Sequence, residues 1–136
     1  MCIRDRLKTV KAIDDENINL ILQDNTKVSH APKLFTETCE IDPNKSTSQL
    51  HNFIRGLNLF PTAWTSLDDK KLKVYSISTE VTEDGHDIGK WFSDNKSYLK
   101  MKCTGGYIHI LDLQLQGKKR MDVKTFLNGY QLKAEA

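Results

Sequence analysis

The 136-residue sequence is poor in the residues that announce chemistry. It has three cysteines, Cys2, Cys39 and Cys103, an odd number placed far apart with no CxxC pair. That excludes a disulfide framework and a cysteine-based zinc site, and leaves reduced, partly buried thiols. Four histidines, His30, His51, His86 and His109, lack metal-ligand spacing, and nothing in the sequence requires a metal. No apolar run approaches the roughly 20 residues of a membrane helix, and no signal-peptide pattern opens the chain. A phosphate-binding glycine loop, internal repeats and low-complexity segments are all missing. No serine or cysteine stands in a motif that would activate it as a nucleophile. The carboxylates Asp68, Asp69, Glu83, Asp84 and Asp87 fall in turns, where solvated loop positions are expected.

What is present is an uneven distribution of charge. The net formal charge is +2, yet residues 1–87 hold 11 Lys+Arg against 14 Asp+Glu, and residues 88–136 hold 9 against 4. A basic C-terminal part suggests a polyanionic partner. Its densest point is Leu111–Met121. There Leu111, Leu113 and Leu115 alternate with Asp112, Gln114 and Gln116, the period of a strand with one face in a core. Gly117 ends the strand, and Lys118, Lys119 and Arg120 follow on a turn. Such a turn suits phosphate contact, and it also costs little as a solvated loop.

The remaining pattern predicts a mainly β domain. Ser46 and Gln49 have capping-box spacing, and Leu50, Phe53, Ile54 and Leu57 recur at helical intervals up to a left-handed stop at Asn58. Strands are expected at Ala63–Leu67, Leu72–Val81, Lys90–Phe92, Tyr98–Cys103 and Tyr107–Leu115, with turns at Asp68-Asp69 and Gly105-Gly106. Asp122 should cap a last helix that returns Val123, Phe126, Leu127 and Tyr130 to the core. Together these describe a small OB-like Greek-key antiparallel barrel with flanking helices. Lys100 and Lys102 alternate with Leu99, Met101 and Cys103 and so share the outer face of one strand. They join the turn as candidate phosphate contacts, with Lys73, Lys90, Lys96 and Lys124 as extensions; equally, such lysines discourage edge pairing. Trp64, Trp91, Phe92 and Tyr107 are flanked by apolar residues and are expected in the core or at the barrel rim rather than stacked on bases.

Upstream, residues 1–6 resemble a translated library-adapter scar, so helical reasoning starts at Leu7. Leu7–Ile13 reads as the end of an amphipathic helix stopped by Asp14–Asn17, with no apolar surface nearby to cover it.

Three segments carry a family resemblance: Leu34–Asp42 (LFTETCEID), Ile54–Thr65 (IRGLNLFPTAWT) and Leu113–Met121 (LQLQGKKRM). In order and spacing they resemble the C-terminal domain of methionyl-tRNA formyltransferase. Leu59 stands where that family usually has proline, and Pro43 where it usually has tryptophan. The resemblance implies a division into residues 7–25, the tail of an N-terminal Rossmann-like catalytic domain; 26–40, a linker; and 41–136, an OB-like tRNA-binding domain. It implies a cytoplasmic parent enzyme that moves a formyl group from 10-formyltetrahydrofolate to initiator methionyl-tRNA. No catalytic residue and no cofactor site carry over to this chain, which is expected to be inactive alone. It further implies that Lys118, Lys119 and Arg120 contact RNA backbone, and places Lys33 at a basic linker position on the tRNA side; for Lys100 and Lys102 the weighing stays even. Another folate-dependent formyltransferase or hydrolase sharing the domain, or a stand-alone RNA-binding module, are the alternatives.

Overall fold

A computed structural model describes residues 3–132, which fall into two compact units divided after Pro32. Among these residues no helix is long and apolar enough to cross a membrane.

In the first unit, helix α1 spans Ile3–Asp14. It therefore takes in Ile3–Arg6, which the sequence reading set aside. The 3.6-residue period does reach back: Ile3, Leu7, Val10 and Ile13 follow one another at intervals of three or four. Thr9 also donates to the Asp5 carbonyl at 3.0 Å. All four apolar side chains are exposed. Residues 25–27 form a single 3-10 turn capped by Asp24.

The second unit is an antiparallel sheet curled into a half-barrel around one apolar core. Helix α2 (Thr47–Gly56) opens it, with the capping box in place: Ser46 Oγ accepts from the Gln49 amide at 3.3 Å and Gln49 Oε1 accepts from the Ser46 amide at 3.0 Å. Leu50, Ile54 and Leu57 are buried. The left-handed residue after this helix is Leu59 (φ 73°), not the expected Asn58. Strands β1 (Ala63–Leu67), β2 (Lys70–Val81), β3 (Trp91–Ser93), β4 (Leu99–Cys103), β5 (Gly106–Leu115) and β6 (Met121–Asp122) follow. They lie in the order β1-β2-β5-β4-β3, with β6 pairing β5. The run β2-β5-β4-β3 is the Greek-key arrangement. Helix α3 (Val123–Asn128) closes the chain, its first turn capped by Asp122, which accepts from Lys124 and Thr125. Val123, Phe126 and Leu127 are buried, and Tyr130 stacks on Phe126 at 4.6 Å.

Three local features differ from the sequence reading, each for a steric reason. β6 is only two residues long, too short to leave an alternating pattern. The β4–β5 turn is Thr104-Gly105, because Cys103 pairs with Gly106. Gly106 is already in the strand and pressed on the neighbouring backbone: a Cβ there would stand 1.9 Å from the Glu80 carbonyl oxygen. Lastly, Leu111 points out of the core (44% exposed) although Leu113 and Leu115 point in. The β2–β5 register shifts between Val74, Ser76 and Ile77, which puts Leu111 out of phase with its neighbours. Ahead of α2, Cys39 is fully buried and the Ile41 amide donates to the Trp64 carbonyl at 2.7 Å.

The two hairpin glycines give a paired test. Gly105 (φ 77°) has open space where a Cβ would stand, so Gly105→Ala should cost about 1–2 kcal/mol. Gly106→Ala adds a backbone clash and should cost more than about 3 kcal/mol by urea denaturation.

Candidate nucleic-acid interface

The cationic turn is built on the end of β5 and folded back over the outer face of the sheet. Gly117 takes φ 79°, and the Lys118 amide donates to the Leu115 carbonyl at 2.9 Å. Gln114, pointing outward from β5, donates from Nε2 to the Lys118 carbonyl at 3.0 Å and accepts from the Tyr75 hydroxyl at 2.9 Å. Arg120 reaches back across β5 to Asp112: its Nε donates to Oδ2 at 2.8 Å and its second donor reaches the same oxygen. Its guanidinium lies over the Tyr75 ring, 4.2 Å from the centroid. Arg120 is thus a brace. Its charge is shared with Asp112, and its plane is fixed by an aromatic face.

The other two cations are uncompensated. Neither Lys118 nor Lys119 forms an ion pair among the described residues; Lys118 Nζ stands 6.0 Å from the Phe126 centroid. The sequence pattern alone makes the three cations of the turn equivalent. The structure separates two that face solvent from one that holds the turn.

Lys100 and Lys102 share the outward face of β4, as alternation requires, but Glu80 of β2, Tyr107 of β5 and Asp84 of the β2–β3 loop engage them. Lys102 is only 5% exposed. Its Nζ pairs with Asp84 at 2.7 Å and lies 4.6 Å over the Tyr107 ring. Tyr107 in turn donates to Asp84 at 2.6 Å and stands 2.8 Å from His86 Nδ1. Lys100 pairs with Glu80 at 3.2 Å, and the same carboxylate oxygen meets His109 Nε2 at 2.6 Å. Bonds from Lys102, Tyr107 and His86 hold the Asp84 carboxyl well below its usual range. Burial, then the Asp84 carboxylate, pushes Tyr107 up to about 12. Asp84 is therefore no solvated loop carboxylate; it is what lets a lysine be buried. Lys33 is exposed at the start of the second unit, with its Nζ 5.4 Å from the Phe35 centroid.

A concave surface of about 730 Å³ lies where the half-barrel is open, lined by Leu67, Asp68, His86, Asp87, Lys90 and Trp91 among others. Lys90 pairs with Asp87 at 2.8 Å. No cluster of three or more potential metal ligands occurs among the described residues.

A family model described as formyl transferase, C-terminal domain, matches residues 33–131. The chain belongs to this family. Its formyl transferase C-terminal domain coincides with the second structural unit, which begins at Lys33. A methionyl-tRNA formyltransferase of Phocaeicola vulgatus is 40% identical over 134 residues, covering 91% of this chain and 41% of the relative. One from Azobacteroides pseudotrichonymphae is 42% identical over 134 residues, covering 90% and 41%. The chain thus spans about two fifths of the length of these curated relatives. Among solved structures, HypX from Aquifex aeolicus in complex with tetrahydrofolic acid superposes with a TM-score of 0.64 at 13% identity, over 92% of this chain and 22% of that one. That likeness is one of fold.

Sequence reasoning missed the partners that sort the lysines. Asp112 and Tyr75 immobilise Arg120, and Glu80 and Asp84 neutralise the β4 pair. Lys71 was missed as well. It lies beside Lys73 on the outer face of β2, and the alternation of Lys71, Lys73 and Tyr75 with Leu72 and Val74 was the signal for it.

The Asp84–Lys102 pair should show in the pH dependence of stability. Since Asp84 is depressed in the folded state, its contribution is fully present above its unfolded pKa of about 4 and is lost as pH falls through the folded value. Asp84→Asn strands the buried ammonium. We expect a lower urea midpoint at pH 7 and a shallower decline between about pH 4 and 2 than in the parent, with the residual slope coming from the other depressed carboxylates, among them Asp94, held low by Ser97, and Glu80, held low by His109.

Proposed function

We propose that this chain is the tRNA-holding part of a methionyl-tRNA formyltransferase, an enzyme that transfers a formyl group from 10-formyltetrahydrofolate to initiator methionyl-tRNA in the cytoplasm. In this reading the formyl donor and the catalytic groups belong to the part of the relatives that the chain does not span, and residues 7–25 are the end of that part. The observation that carries the reading is the braced turn within a formyl transferase C-terminal domain. Lys118 and Lys119 are held forward by Gln114 and by the Arg120–Asp112 pair, with no carboxylate of their own among the described residues.

Ammonium groups presented this way suit phosphodiester oxygens, which give affinity and register without reading sequence. Lys33 is proposed as a further contact from the start of the domain. Lys100 and Lys102 are left outside the interface, because Glu80 and Asp84 already occupy their charges.

The test is an initiator tRNA titration of the full 136-residue chain over a range of salt. Lys118→Gln with Lys119→Gln should reduce the salt slope by about 1.5, at roughly 0.7–0.9 per lost phosphate contact. A formylation assay run alongside should show no turnover by the chain alone. Salt-independent binding, or turnover, would overturn the reading.

A further inference from the structure

The outer face of β2 continues the cationic turn. Lys71 and Lys73, with Gln114, Leu115, Gln116 and Gly117, line a shallow groove of about 220 Å³ that ends at the turn. The turn is tied to this groove from two sides. Gln114 on its floor holds the Lys118 carbonyl, and Arg120 lies over Tyr75, the next outward residue of β2.

Several polar groups of the floor are already engaged. Gln116 Oε1 accepts from the Lys71 amide at 3.3 Å, and the Gln116 amide donates to the Lys71 carbonyl at 2.9 Å. The Gln114 carbonyl oxygen accepts from Tyr75. The carboxylates of the two strands are engaged too, Asp112 on β5 with Arg120 and Glu80 on β2 with Lys100 and His109, and Asp68 in the β1–β2 turn accepts from the Tyr130 hydroxyl. The charge this lining offers a ligand is that of two ammonium groups. Neither forms an ion pair among the described residues; Lys71 Nζ rests 3.9 Å from the Trp64 centroid, and Lys73 has no partner there.

We infer that Lys73 and Lys71 are phosphate-binding residues, and that an RNA strand runs from Lys118 and Lys119 along β2 rather than towards Lys100 and Lys102. This rests on the reading of the turn given above and adds its direction. Alternate residues of a strand stand roughly 6.7 Å apart on one face, close to the step between successive phosphates of an RNA strand. A ligand on this track meets two uncompensated cations. A ligand on β4 would first have to displace Glu80 or Asp84, and Lys102 would have to leave its buried site.

The experiment compares four double or single variants of the full chain in the same salt titration with initiator tRNA: Lys71→Gln/Lys73→Gln, Lys71→Arg/Lys73→Arg, Lys118→Gln/Lys119→Gln and Lys100→Gln. The track predicts that K71Q/K73Q lowers the slope by about 1.5 and weakens binding about tenfold or more at low salt, while K71R/K73R retains the slope and K100Q leaves it unchanged. If K118Q/K119Q flattens the slope and K71Q/K73Q does not, the direction is wrong and the turn stands. If K100Q flattens it as much as K71Q/K73Q does, the direction is also wrong. If the unmodified chain binds without salt dependence, the reading of the turn fails together with its extension.

Discussion

Everything on the outer surface depends on the irregular pairing of β2 with β5. These are the two longest strands, and they are joined along almost their whole length, yet their register slips twice around Tyr75 and Leu111. A regular ladder would have kept the two strands nearly straight and left Leu111 on the inner face. The slip increases local twist and bends the pair, so that one face closes around α2 and α3 while the other turns outward. It also makes Asp112 outward-facing, just where Arg120 returns from the turn. The brace on the cationic loop is therefore a product of the same defect that curls the sheet.

The half-barrel sorts its cations by whether a carboxylate is within reach. On β4 and its covering loop, each lysine has an acid, and the aromatic ring of Tyr107 lies beneath both. Burial of Lys102 is tolerated only because Asp84 and the Thr82 carbonyl accept from it. Asp112 on β5 is taken by Arg120 and Asp68 in the β1–β2 turn accepts from Tyr130, so the lysines of β2 and of the β5–β6 turn have no acid of their own among the described residues. The result is one self-neutralised half and one half with spare positive charge, on a single continuous sheet. The small net charge of the chain conceals this division.

How much of this was readable beforehand follows from the range of each interaction. The strands, the capping box of α2 and the Asp122 cap are set by neighbours within a few residues, and the alternation of apolar side chains located them. Leu111 misled because a register slip belongs to two strands at once, and neither sequence segment alone records it. Lys102 misled for a similar reason: its acid, Asp84, lies beyond β3 in the chain and meets it only through the fold. Gly106 looked like one half of a turn because its real constraint, the Glu80 carbonyl, comes from β2. The family motif marked Lys118–Arg120 as a unit, and only the position of Asp112 showed that one of the three has a separate duty.

The stacking of Lys71 on Trp64 couples charge to light. An ammonium 3.9 Å from the centroid of an indole polarises its excited state, and the same indole is anchored by an Nε1–H donated to the Thr36 carbonyl at 2.6 Å. The ring is held independently of the cation above it. On the track proposed above, an anion in the groove would change the electric field at a fixed chromophore, so the Trp64 emission would record the electrostatic state of that face.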